Sequence, residues 1–153
     1  MRRTLPLAAL TAFAVSVASA HALDSTVIKM SSMSPDALWK RVGDFCGIGS
    51  WHPAVAKCVL SADGKQRTLS LKGRGTIVEE LEGWDNLNRS YRYTLLSGLP
   101  VTNYHSTVIV TGDAGGSLLK WMSTYDAQGA PDADAKRAID DIYDAGAKAL
   151  TGR

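Results

Sequence analysis

The chain has 153 residues, 45% of them hydrophobic, with 17 Lys and Arg against 15 Asp and Glu. Two of the basic residues, Arg2 and Arg3, fall in an N-terminal segment expected to be removed, which leaves fifteen charges of each sign. That balance argues against a nucleic acid or an anionic membrane held by charge, and the remaining ~130 residues make one domain able to bury its own core.

The first 22 residues read as a secretory signal peptide. Arg2 and Arg3 give a positive start, Leu5 to Val17 is almost wholly apolar, and small residues allow cleavage after Ala20 or Ala22. The apolar run is too short for a permanent span, so no stable membrane anchor is expected. The phenylalanine-leucine-lysine run expected after a twin-arginine pair is missing, so ordinary secretion is the better reading. The expectation is a protein secreted across the inner membrane into the periplasm, with residues 23–153 as its single domain.

A β-branched run, Ser25 to Met30, predicts the first strand. Ser34 then caps a helix with Pro35 in its first turn, and Ala37, Leu38, Arg41, Val42 and Phe45 follow at helical spacing. Gly43 and Gly47 end it. A second helical turn over Ile48 to His52 stops at Pro53. From Ala54 to Asp126 the pattern alternates and breaks at Asp63-Gly64, Asp85 to Asn88, Gly98 to Pro100 and Asp113 to Gly116. Six strands joined by short turns make an antiparallel meander. Pro131 to Leu150 predicts a last helix with an apolar stripe of Ala135, Ala138, Ile139, Ile142, Ala145 and Ala149. The fold class is α+β, a seven-stranded curved antiparallel sheet around a long C-terminal helix, with two short helices after strand 1. One helix cannot fill the concavity of such a sheet, so a pocket is expected between them.

Alternation divides each strand into two faces. The inward set is Ala54, Ala56, Cys58 and Leu60, then Arg67, Leu69 and Leu71, then Ile77, Glu79 and Leu81, then Tyr91, Tyr93 and Leu95. Tyr104, Ser106, Val108 and Val110 continue it, followed by Leu119, Trp121, Ser123 and Tyr125. Lys57, Lys72, Glu80, Glu82, Arg92, His105 and Lys120 face solvent. Arg67 and Glu79 fall among the apolar set. They can pair with each other to fix strand register, or the guanidinium can anchor a ligand oxygen. Tyr91, Tyr93, Tyr104, Trp121 and Tyr125 can pack the core or offer flat apolar area and hydroxyls to a ligand. His52, beside Trp51 and Pro53, is structural or a proton carrier partnered by Glu79 or a tyrosine. Cys46 and Cys58 admit three readings: a disulfide, two buried free thiols, or a metal site with His52 whose spacing matches no common zinc pattern. No metal or cofactor is expected.

The ordered set Trp51-His52-Pro53, Arg67, Glu79-x-Leu81, Tyr91-x-Tyr93, Leu99-Pro100-x-x-x-Tyr104 and Trp121 resembles the polyketide cyclase/dehydrase-like branch of the START-like SRPBCC superfamily. The resemblance runs from about Ser25 to Leu150 and implies a helix-grip fold with a deep hydrophobic cavity. It carries over Trp51, His52, Pro53, Arg67, Glu79, Tyr91, Tyr93, Tyr104 and Trp121. Its members include aromatic polyketide cyclases, lipid and hormone carriers and periplasmic proteins associated with methanol oxidation. The expected function is an exported binding protein for a small hydrophobic or aromatic ligand, with Arg67 orienting one oxygen and Gly47 to Ser50 and Ser97 to Asn103 framing the mouth. One alternative is a cyclase or dehydratase in which Arg67 acts with His52, Glu79 or a tyrosine. A further alternative is an accessory protein of a periplasmic redox enzyme.

Overall fold

The structure is a computed structural model that describes residues 22–152. The expected signal peptide lies outside the described residues except for Ala22. The elements in chain order are β1 (Leu23–Ser31), α1 (Pro35–Val42), α2 (Ile48–Trp51), β2 (Val55–Leu60), β3 (Gln66–Leu71), β4 (Thr76–Asp85), β5 (Ser90–Ser97), β6 (Val101–Asp113), β7 (Gly116–Ala127) and α3 (Asp132–Thr151). All seven strands form one sheet in the order β1-β7-β6-β5-β4-β3-β2. Each neighbouring pair is antiparallel. No helix among the described residues is long and apolar enough to cross a membrane.

Local chemistry explains the helices. Ser34 Oγ accepts from the Ala37 amide at 3.2 Å, Pro35 occupies the first turn, and Lys40 and Arg41 sit at the negative end of α1. α3 starts after Pro131 with Asp132 and Asp134 in its first turn. The apolar stripe of α3 departs from the expected one. Ala135, Ile139, Tyr143, Gly146, Ala147 and Leu150 are buried, Ala149 is exposed, and Ala138, Ile142 and Ala145 are half-buried along one flank. The helix is rolled so that the large ring of Tyr143 goes under it, which buries more area than an alanine could.

Two bulges adjust the expected faces. The register of β2 on β3 shifts between Val55 and Lys57. Val55 is therefore the buried residue, Ala54 and Ala56 are exposed, and Cys58 returns to the inner side. Leu60 is 43% exposed, because β2 is the sheet edge. In β6 the shift between Thr102 and His105, with Asn103 at φ 50°, lets Val101 and Tyr104 both point inward. The inward assignments for β3, β4, β5 and β7 agree with the observed burial. His105 lies on the outer face beside Glu82, 2.7 Å away.

Cys46 and Cys58 form a disulfide with 5.6 Å between Cα atoms. The bond ties the turn after α1 to the edge strand β2 and encloses α2 and His52. Their sulfurs are spent on each other, which sets aside the free-thiol and metal readings. A Cys46→Ser/Cys58→Ser variant is expected to lose about 2–4 kcal/mol of unfolding free energy. Urea denaturation measures this, and an unchanged midpoint would show that packing alone holds the segment.

Candidate functional site

A cavity of about 600 Å³ lies between the concave face of the sheet and α3. Its walls come from β2 to β4 (Val55, Leu69, Leu71, Ile77, Glu79), from α2 and its end (Ile48, His52) and from α3 (Ala138, Ile139, Ile142, Tyr143, Ala145). Tyr93, Tyr104 and Trp121 form the deep aromatic end, and each is at most 3% exposed. The lip is made by Lys72, Arg74 and Gly75 in the β3–β4 turn, Gly98 to Pro100 in the β5–β6 turn, and Asp141 on α3. Gly98 has φ +106°, and a Cβ there would fall 2.2 Å from the Thr76 carbonyl oxygen. A glycine is what lets this turn close over the start of β4. The other expected part of the mouth, Gly47 to Ser50, contributes Ile48 to the interior wall instead.

Arg67 does not line the cavity. It is fully buried, its Nε donates to Glu79 Oε2 at 2.6 Å, and Nη1 donates to the Phe45 carbonyl. Its guanidinium carbon lies 4.2 Å from the ring centre of Phe45 and 4.9 Å from that of Tyr93. Cross-strand register explains the pairing, since Arg67 and Glu79 sit directly opposite on β3 and β4. Burial is the largest single influence on the Arg67 charge and opposes it, but Glu79, Tyr91 and Tyr93 together outweigh it and hold its pKa above the ordinary value. Glu79 is the member of the pair that reaches the cavity.

The aromatic end contains a chain of hydroxyls whose directions follow by elimination. Ser106 Oγ donates to the Met122 carbonyl at 3.1 Å. Its one proton is spent there, so it accepts from Tyr143 Oη at 2.8 Å. Tyr143 then accepts from Tyr104 at 2.6 Å, and Tyr104 accepts from Tyr93 at 3.4 Å. Trp121 Nε1 donates to Tyr93 Oη at 2.9 Å and to Ser106 Oγ at 3.1 Å. Every hydroxyl proton of the chain already has a protein acceptor. Burial raises the pKa of Tyr93 and Tyr104 well above the usual phenol value, and pushes that of Tyr143 up to about 12. The phenols therefore stay protonated at neutral pH.

His52 is a strut. Its Nδ1 accepts from the Ala54 amide at 3.2 Å, which leaves Nε2 to donate to the Ile142 carbonyl of α3 at 3.0 Å. Burial is the main cause of its lowered pKa, and Arg67 and Lys72 add to the effect. Gly146 makes the approach possible: a Cβ there would lie 2.8 Å from both the His52 ring and the Trp121 ring. Trp121 stacks on Tyr143 with ring centres 4.3 Å apart.

Of the nine residues assigned to the site by sequence, His52, Glu79, Tyr93, Tyr104 and Trp121 line the cavity. Trp51 lies behind Trp121, edge-on at 6.1 Å. Tyr91 packs against Trp39, Phe45 and Tyr93. Tyr125 bonds Ser25 Oγ at 2.6 Å, and Ser25 in turn donates to Asp140 of α3. Tyr143 was missed, although the spacing Ala135, Ile139, Tyr143, Ala147 places it on one helical face.

A profile of the polyketide cyclase/dehydrase and lipid transport family matches residues 23–153. No curated protein matches the chain. Among solved structures, the protein XoxI from Bacillus cereus is 30% identical over 84% of this chain and 93% of that one, with a TM-score of 0.81. An uncharacterized protein from Bacillus thuringiensis is 29% identical over 85% of this chain and 97% of that one, with a TM-score of 0.80. A START superfamily protein from Mycobacterium smegmatis, 20% identical over 87% and 96% of the two chains, shares the fold with a TM-score of 0.66.

Two outcomes test these roles. Glu79→Leu alone strands a buried guanidinium and should cost about 3–5 kcal/mol, whereas Arg67→Met/Glu79→Leu should cost clearly less than that single change. Additive losses in urea denaturation would contradict the pairing. For His52, the unfolded imidazole takes a proton first as pH falls below about 6.5, so stability present above that pH is lost on acidification toward the lower folded pKa. The melting temperature should fall more steeply from about pH 7.5 to about pH 5 in the native protein than in His52→Gln. Parallel curves would remove His52 as the source.

Proposed function

The chain belongs to the polyketide cyclase/dehydrase and lipid transport family of the START-like SRPBCC superfamily, and from that premise we propose that it is an exported binding protein for a small hydrophobic or aromatic molecule. Family and fold make it a ligand-binding or cyclase-like protein. The cavity supports the binding reading. Its volume of about 600 Å³ suits one drug-sized molecule, and its walls are mostly apolar with few polar groups. The disulfide is compatible with an oxidising compartment, which supports export.

Catalysis finds less support. A cyclase-type step needs a group with proton capacity to spare beside the substrate. Both His52 nitrogens are engaged, the hydroxyl protons are committed along a chain that ends on the Met122 carbonyl, and Arg67 is shut behind Glu79. Glu79 alone remains as a base in contact with the cavity. The accessory-protein reading draws no support from this site.

The test is titration with N-phenyl-1-naphthylamine, a neutral fluorescent aromatic. The native protein should bind it at micromolar concentration, and Ala138→Trp, which fills the cavity from the α3 flank, should weaken binding by about tenfold or more while the protein stays folded. Equal binding by the two proteins would place the probe elsewhere. Turnover of an aromatic β-polyketone that is lost in Glu79→Gln would replace the binding reading with the enzymatic one.

A further inference from the structure

The cavity has two chemically different ends. Its deep end offers acceptors and aromatic faces but no free proton. The hydroxyl chain of Tyr93, Tyr104, Tyr143 and Ser106 runs to a carbonyl, and Trp121 donates into it. Glu79 adds a carboxylate at that end. The guanidinium that could have neutralised a ligand's charge is not in the wall. An anionic group placed there would meet lone pairs and another anion, at the high cost of a buried uncompensated charge.

The lip is the opposite. Lys72 and Arg74 are both exposed and both border the opening. Neither is in a salt bridge among the described residues. The turn that carries them is held by main-chain hydrogen bonds, with the Lys72 amide donating to the Ala54 carbonyl at 3.0 Å and the Leu71 amide to Gly75 at 3.1 Å. Asp141 on α3 is the acidic group on the far side of the opening. Two cations against one carboxylate leave a single excess positive charge at the entrance.

We propose that the ligand is an amphipathic monocarboxylate that enters tail first, its apolar body between α3 and the sheet and its carboxylate held outside by Lys72 and Arg74. The inference rests on the binding reading and adds ligand charge and orientation to it. One carboxylate matches the one excess charge of the lip. The deep end then meets only carbon or a hydroxyl, whose proton Glu79 or a phenol oxygen can accept.

The test holds the tail constant and changes the head. Decanoate, decyl phosphate, decanol and decylammonium compete for N-phenyl-1-naphthylamine below their micellar concentrations. Decanoate should displace the probe at about three- to tenfold lower concentration than decanol, with decylammonium weakest, as two exposed ion pairs allow. Raising the salt to ~0.5 M should shrink that advantage. Lys72→Glu/Arg74→Glu should reverse the order, favouring decylammonium over decanoate. Equal displacement by decanoate and decanol, or an order unchanged in the double variant, would overturn the proposal while leaving the binding reading intact. A clear preference for decyl phosphate would overturn the carboxylate assignment. If the neutral probe does not bind, the binding reading itself fails first.

Discussion

The ion pair between Arg67 and Glu79 is the constraint from which the architecture of the cavity follows. Two opposite charges in a protein interior are costly unless each is well paired. Here the cost is offset by direct cross-strand register, by the Phe45 carbonyl, and by two aromatic rings against the guanidinium. Phe45 lies next to Cys46, so the disulfide that anchors Cys46 to β2 also holds one partner of Arg67. The pair fixes β3 to β4 and closes that side of the sheet. It also decides which charge the cavity meets, because Glu79 stands between Arg67 and the open space.

The other side is held by contacts of α3. Gly146 lets the rings of His52 and Trp121 come against the helix backbone, and His52 bonds the carbonyl of Ile142. Tyr143 stacks on Trp121 and joins the hydroxyl chain. Nearer its start, Asp140 is tied through Ser25 to Tyr125. The helix is thus fixed at separate points along its length while its flank of Ala138, Ile142 and Ala145 stays free of the sheet. Small side chains on that flank leave volume, and the pinned residues keep the helix from collapsing into it. A glycine in mid-helix costs about 1 kcal/mol relative to alanine, so its presence here is best explained by the two rings it admits.

Much of this was legible in the chain. Alternation and turn residues placed every strand, and Ser34-Pro35 and Pro131 placed the helix starts, because these signals are local. Three things were not. Parity cannot see a bulge, so it sends Ala54 and Ala56 inward and Val55 outward, the reverse of what the structure has. Counting apolar residues gives alanine the same weight as tyrosine, so the roll of α3 was missed and Tyr143 with it. Parity also tells which face a side chain takes but not how deep it lies. Arg67 and Glu79 share a face, yet one is sealed in the wall and the other borders the hollow. That distinction depends on Phe45 arriving from a distant loop, and it changes the chemistry expected of a ligand.

The account therefore depends on a guest that touches carbon and Glu79 while Arg67 stays out of reach. Nuclear Overhauser contacts between bound N-phenyl-1-naphthylamine and the isotope-labelled protein test this directly. Contacts to the methyl groups of Leu69, Leu71, Ile77 and Ile139, with the Arg67 Nε–H resonance protected from exchange and silent toward the probe, are the predicted result. Contacts from the probe to the Arg67 side chain, or none to those methyls, would contradict it.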